Sequence, residues 1–131
     1  DENSFWANQC GPFVGCSREF WGRGMGWFFA ALVDVLEVMP KSHPDYTKLT
    51  GILSQVAEGL KQWQDTESGV WYQLLQYDDS FVGKCGTKNY LEASASCMFT
   101  YSYLKGLRLG LLDESYRPVA EKAYNGVKTR R

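Results

Sequence analysis

No uninterrupted apolar run in the 131-residue chain approaches the roughly 18 residues a membrane span needs, the longest stretch being 26–33, so no span is expected. Charge of one sign is lacking too: 14 Lys and Arg against 15 Asp and Glu leave a formal net charge of -1. That balance offers no electrostatic footprint for nucleic acid or an anionic membrane. There is one histidine, His43, and no CxxC pair, so none of the spacings is a zinc pattern and no metal site is expected. His43 sits in a Ser-His-Pro turn and reads as exposed and inert, so no Ser/His/Asp grouping can be assembled. No phosphate-cradling GxGxxG or GxxxxGK occurs either. The opening residues Asp1-Glu2-Asn3-Ser4-Phe5-Trp6 contain neither the basic nor the apolar region of a signal peptide. Aromatic residues, by contrast, make up 15% of the chain, and 44% hydrophobic with 22% charged is the composition of an ordinary globular domain.

Cys10, Cys16, Cys85 and Cys97 could pair in three ways. The Gly- and Pro-containing segment between Cys10 and Cys16 would permit a small disulfide loop, whereas Cys97 lies in an apolar helical run and reads as a buried thiol. The disulfide state, and with it the compartment, cytoplasmic or exported, stays open.

Apolar periodicity predicts an all-α fold. The first residues, 1–21, read as an irregular loop. From Met25 onward, Phe28, Phe29, Leu32, Val35, Leu36 and Met39 form a helical stripe that Pro40 ends, and the apolar first half of that helix implies burial on more than one side. A second helix follows Ser42, a candidate cap, with Pro44 in its first turn and a stripe of Leu49, Ile52, Leu53, Val56, Leu60 and Trp63. Residues 65–88 form an aromatic loop in which Val70 to Leu75 are extended or packed by their aromatics. Asn89 as cap with Glu92 three residues on opens a third helix that Gly110 stops, rich in small residues at Ala93-Ser94-Ala95-Ser96. The fourth helix follows Asp113, with Pro118 in its first turn and a basic end. Helices one and three are the more apolar or small-residue members and two and four are amphipathic, so the two hairpins read as repeats of an inner and an outer helix. A simple four-helix bundle is the alternative.

Chemistry is suggested most by Phe20-Trp21-Gly22-Arg23-Gly24-Met25-Gly26-Trp27. Glycine so dense at a helix start implies close approach to the backbone, by a ligand or by another helix. Arg23 and Trp27, four apart, would share a face, where a guanidinium can grip a carboxylate and an indole can stack on a pyranose. An Arg stacked on a Trp for purely structural reasons accounts for the same residues. The loop aromatics Phe5, Trp6, Phe13, Trp71, Tyr72, Tyr77 and Phe81 read collectively as a cleft wall, individually as small clusters under loops. Glu92 fits either a catalytic carboxylate or a cap, and Asp34 and Glu37 fit an ion-pair or solvent-facing role.

These residues carry a resemblance. The segment from Phe20 to Trp27, Ala31-Leu32-Val33-Asp34-Val35-Leu36-Glu37-Val38-Met39-Pro40, Gln64-Asp65 with Ser68-Gly69-Val70-Trp71-Tyr72-Gln73, Asn89-Tyr90-Leu91-Glu92-Ala93-Ser94-Ala95-Ser96 with Met98-Phe99, and Lys105-Gly106 through Leu112 resemble the unsaturated rhamnogalacturonyl hydrolases of glycoside hydrolase family 105. More distantly they are similar to the unsaturated glucuronyl hydrolases of family 88. The resemblance implies an (α/α)6 barrel of six helical hairpins, of which residues 1–131 would supply about two, so that the chain reads as part of a larger barrel domain. It implies a glycosidase that removes an unsaturated uronic acid from the non-reducing end of lyase-generated, rhamnogalacturonan-type oligosaccharides. An Asp protonates the C4=C5 double bond and water adds at C5, giving a hemiketal that opens, in place of the two-carboxylate displacement of ordinary glycosidases.

Carried over position by position, Arg23 and Trp27 match the motif that faces substrate, with Trp21 beside them and Met25 where relatives have Asn or Met; Asp1 matches the end of a His-Gly-x-Asp stretch. The resemblance places the catalytic Asp on an earlier inner helix with no counterpart here, so no catalytic residue is assigned and the isolated chain is expected not to turn over. No cofactor is implied. The partner implied is an unsaturated uronyl oligosaccharide, with association with the rest of a barrel or with a second copy. The alternative is a non-catalytic helical carbohydrate-binding or interaction module.

Overall fold

The computed structural model describes residues 19–83 and 86–129. Four helices account for most of them: α1 (Gly22–Val38), α2 (Tyr46–Gln62), α3 (Ala93–Arg108) and α4 (Arg117–Thr129), the last preceded by a 3-10 turn at Glu114–Tyr116. The inner and outer roles expected from composition are observed. α1 packs against α3, α2 backs α1, and α4 backs α3. The dry stripes of the outer helices, Leu53, Ala57 and Leu60 of α2 and Val119, Ala120 and Ala123 of α4, join one core with Phe29, Val33, Phe99 and Tyr103 of the inner pair.

Glycine decides how near the inner helices come. A Cβ at Gly22 would lie 3.3 Å from the Ala95 Cβ and 3.2 Å from the Tyr72 and Gln73 carbonyl oxygens, and one at Gly26 would lie 2.7 Å from Met98 Cε. Gly24, on the other side of α1, has, among the described residues, only the Trp21 ring within reach, at 3.9 Å. Two of the three glycines therefore serve helix packing, and Ala95 is the small partner that makes the close approach work. Farther along, the seam turns ionic: Lys105 Nζ lies 2.7 Å from Asp34 Oδ1 and 2.6 Å from Glu37 Oε2, and the Tyr101 hydroxyl donates to Asp34. The Lys105 bonds and that from Tyr101 hold the Asp34 carboxyl below its usual range.

The boundaries differ from the sequence reading at three starts. α1 begins three residues before Met25, because the Gly22 N–H is taken by the Gln73 carbonyl at 2.7 Å, which seats the first turn on the loop. α2 begins at Tyr46 without a side-chain cap; the turns of residues 40–46 intervene, and His43 Nδ1 rather than Ser42 accepts the Asp45 N–H. In α3 the capping role moves from Asn89 to Glu92, whose carboxylate accepts the Ala95 N–H. Asn89 is spent elsewhere: its amide bonds the Leu74 N–H and the Leu74 and Tyr77 carbonyls and so pins the loop. Gly110 ends α3 as expected, at φ 66, with the Leu111 N–H bonded to the Gly106 carbonyl and Leu112 packed on Gly106, a Schellman closure.

The loop between the hairpins is built across the inner-helix N-termini. Residues 71–75 lie antiparallel between 20–22 and 90–92 through isolated bridges at Trp21–Leu74 and Tyr72–Leu91. Their backbone bonds are Gly22 N–H to Gln73, Leu75 N–H to Phe20, Gln73 N–H to Tyr90 and Glu92 N–H to Trp71. Alternation within this segment buries Trp71, Gln73 and Leu75 and leaves Tyr72 and Leu74 half-buried. Trp71 is therefore a core residue and not part of a cleft wall. Its indole N–H donates to the Leu60 carbonyl at 2.7 Å and its ring meets Phe99 edge-on at 5.1 Å. Tyr77 and Phe81 stack on each other at 4.1 Å, the local-cluster arrangement.

Two further expectations are corrected. Cys97 is exposed, because the apolar run it belongs to winds its thiol away from the core. α1 is buried on one side only: Trp27, Phe28, Val35 and Val38 are exposed, since the described elements cover just the opposite face. Cys10, Cys16, Cys85, Asp1, Phe5, Trp6 and Phe13 lie outside the described residues.

Candidate functional site

The N-terminal turn of α1 gathers three of the four residues singled out by the resemblance. The N-cap position is Trp21, in extended backbone and tied to the loop through the Leu74 bridge; it places a half-exposed indole beside the helix start. Arg23 folds back so that its guanidinium carbon sits 5.1 Å from the Trp21 ring centroid. The pairing is thus with Trp21, two residues before, and not with Trp27, four after, because Trp21 is outside the helix and free to lie under the guanidinium. Trp27, one turn onward from Arg23, shares its face and is 71% exposed. Met25 lies about 200° around the helix from both and packs against the hydrophobic core, so the structure does not bring it to the other three.

Arg23 is also held from the neighbouring helix. Its Nη1 lies 3.4 Å from Glu92 Oε1, and while the Arg23 side chain is 41% exposed, that of Glu92 is only 9% exposed. Burial by itself would push the Glu92 carboxyl up. Bonds from the Ala95 N–H, the Ser94 hydroxyl and the Ser94 N–H, joined by the Arg23 charge, outweigh it and hold the carboxyl below the usual glutamate range. The α3 N-terminus adds its own partial positive charge. An ionised carboxylate this well supplied with donors is a poor proton source, so the capping role and not general acid chemistry is what its surroundings favour.

The link between Arg23 and Glu92 spans 69 positions in the chain. No local periodicity signals it; what brings the two together is the Gly22–Ala95 contact that sets the helix ends side by side. His43 is half-exposed in its turn, far in sequence from this face and engaged with the Asp45 backbone. Among the described residues no group of three or more His, Cys, Asp or Glu is placed to hold a metal ion. The chemical capacity of the α1 end is therefore cationic and aromatic: an oriented guanidinium, two exposed indoles, and a helix N-terminus without an acidic residue in its first turn.

The profile of Glycosyl Hydrolase Family 88 matches residues 2–131. A solved glycoside hydrolase from family 105 of C. acetobutylicum ATCC 824 superposes with a TM-score of 0.75 and 44% sequence identity, covering 91% of this chain and 32% of its own. Protein Atu3128 of Agrobacterium fabrum is 38% identical over 110 residues, 84% of this chain and 42% of its own length. The unsaturated 3S-rhamnoglycuronyl hydrolase of Alteromonas sp. (strain LOR) is 33% identical over 109 residues, 82% of this chain and 24% of its own length. The chain thus spans less than half the length of these relatives.

Proposed function

Because the chain belongs to Glycosyl Hydrolase Family 88, we propose that it is the uronate-binding portion of an unsaturated uronyl hydrolase acting on lyase-generated, rhamnogalacturonan-type oligosaccharides. On this reading residues 1–131 are about two of the six hairpins of one (α/α)6 barrel, with the loop segment 71–75 lying at the site end. The observation that carries the proposal is the Arg23 guanidinium, stacked on Trp21 and braced by buried Glu92, with its outer edge open beside exposed Trp27. A uronate carboxylate fits that edge through paired N–H···O bonds, and the indoles offer faces for the ring. Met25 contributes indirectly, by seating α1 on the core.

Bound so, the carboxylate is neutralised and the C4=C5 double bond is held for protonation at C4 and addition of water at C5. The hemiketal that results opens and releases the next sugar. On the family resemblance the proton donor is an Asp outside these residues; Glu92, its carboxyl held below the usual glutamate range and occupied by its own bonds, is a poor proton source. The exposed Phe28, Val35 and Val38 of α1 suit a neighbouring hairpin of the same barrel.

Titration of the 131-residue chain with unsaturated galacturonyl-rhamnose, followed by tryptophan fluorescence, tests the proposal. Saturable quenching that Arg23→Met abolishes is expected, with the ultraviolet absorbance of the double bond unchanged over hours. Decay of that absorbance would place the acid within this chain and overturn the division of labour.

A further inference from the structure

We infer that Glu92 is a positioning residue for uronate recognition: by capping α3 with one oxygen and holding Arg23 with the other, it fixes which edge of the guanidinium meets the sugar acid. The inference rests on the carboxylate-binding reading of Arg23. Each Glu92 oxygen has its own task. Oε2 accepts the Ala95 N–H, Oε1 accepts Arg23 Nη1 at 3.4 Å, and the Ser94 hydroxyl lies 2.9 Å from both, locking the carboxylate plane. An arginine on an exposed helix end otherwise samples many rotamers, whose entropy must be given up on binding. Here the Trp21 face restrains it from below and Glu92 from one edge.

The anion costs Arg23 little of its charge at the outer edge. Glu92 is already compensated by the α3 N-terminus and by Ser94, and α1 brings a second helix N-terminus with no acidic residue in its first turn. The substrate carboxylate and Glu92 therefore occupy opposite edges of one guanidinium, one fixed and one exchangeable. Specificity for the acid over a neutral sugar follows from this geometry, because a carboxylate accepts paired, charge-assisted N–H bonds from the guanidinium that a neutral sugar or ester oxygen accepts only weakly.

The experiment measures Kd of the 131-residue chain for unsaturated galacturonyl-rhamnose and for its methyl ester, in wild type, Arg23→Met, Glu92→Gln, Glu92→Ser and Ser94→Ala, with thermal melts alongside. Serine is a good N-cap that cannot reach Arg23, so Glu92→Ser separates capping from positioning. Expected is about a tenfold loss of affinity for the acid in Glu92→Ser, with the ester unchanged, an acid-specific loss also in the Gln variant, whose single acceptor oxygen cannot serve both Ala95 and Arg23, and Ser94→Ala showing a smaller loss of the same kind. Equal losses for acid and ester, or acid affinity unchanged or raised in Glu92→Ser, would overturn the inference while Arg23→Met still abolished the preference. If Glu92→Ser does not fold, no acid-specific loss in Ser94→Ala overturns it equally. An acid preference that survives Arg23→Met overturns the carboxylate reading itself, and the inference with it.

Discussion

Replacing each of the three glycines of the first α1 turns by alanine separates two explanations of why they are there. In an exposed helical position the change gains about 0.5–1 kcal/mol from reduced backbone entropy. Gly24 should show that gain in full, because among the described residues the added Cβ meets nothing closer than the Trp21 ring at 3.9 Å. At Gly26 the Cβ falls 2.7 Å from Met98 Cε, which can swing aside, but also 3.1 Å from Met98 Cβ, which is fixed to the α3 backbone. The helices must part by a few tenths of an ångström, and overpacking of that kind costs about 1–3 kcal/mol, leaving a net loss of about 1 kcal/mol. At Gly22 the neighbours are two backbone carbonyl oxygens at 3.2 Å, which cannot move without breaking the loop ladder, so the loss should equal or exceed that at Gly26. Gly24→Ala and Gly26→Ala should therefore differ by about 2 kcal/mol, roughly 8 °C in melting temperature by far-ultraviolet circular dichroism for a domain of this size. Equal shifts for all three, or stabilisation by Gly26→Ala, would refute the claim that glycine sets the α1–α3 spacing. If Gly24 is instead kept for a bound sugar, Gly24→Ala will be more stable and bind less well.

Trp71→Phe removes the indole N–H that reaches the Leu60 carbonyl and part of a fully buried ring. Since that carbonyl keeps the Trp63 N–H, a loss of about 1–2 kcal/mol in urea titration is expected, and no loss would contradict the core role. For Glu92, whose folded carboxyl lies below its ordinary value near 4.5, the stabilisation is full above that pH and disappears as the pH falls through the lower folded value. Asp34 and Glu37 act with the same sign, so Glu92→Gln should flatten, and not abolish, the acid limb of melting temperature against pH below about 4.5. An unaltered slope would mean that Glu92 is not an ionised cap. Cys97, exposed on α3, should be alkylated in the native protein at a rate close to that in urea; strong native protection, read by peptide mass, would contradict its outward placement.

Much of the architecture is legible in the sequence. The stripes at Phe29, Leu32 and Leu36, at Leu53 and Leu60, and at Val119 and Ala123 carry helical period, and Gly110 and Pro40 are local stops, so helix count and the inner and outer roles follow from neighbours along the chain. Caps were less legible. Asn89 and Ser42 have the right chemistry, but a cap is chosen by where the helix is seated, and both starts are set by turns and loop bonds that local composition does not encode. Trp71 and Cys97 failed in opposite directions for a related reason. An aromatic in a loop and a thiol in an apolar helix look exposed and buried by type, whereas the bridge to Leu91 and the winding of α3 turn the first inward and the second outward.

By itself the sequence determined the all-helical hairpin pattern, the absence of a membrane-length apolar run and the cluster of Trp and Arg at one helix start, because periodicity, run length and residue type are local properties. Tertiary structure alone decided that Arg23 rests on Trp21 and not on Trp27, that Met25 turns to the core, and that Glu92 reaches across from α3 to brace the guanidinium. The physical reason is the close crossing at Gly22 and Gly26: with no side chain on α1 at these two positions, the two helix ends lie near enough for one buried carboxylate to cap its own helix and orient a cation on the next.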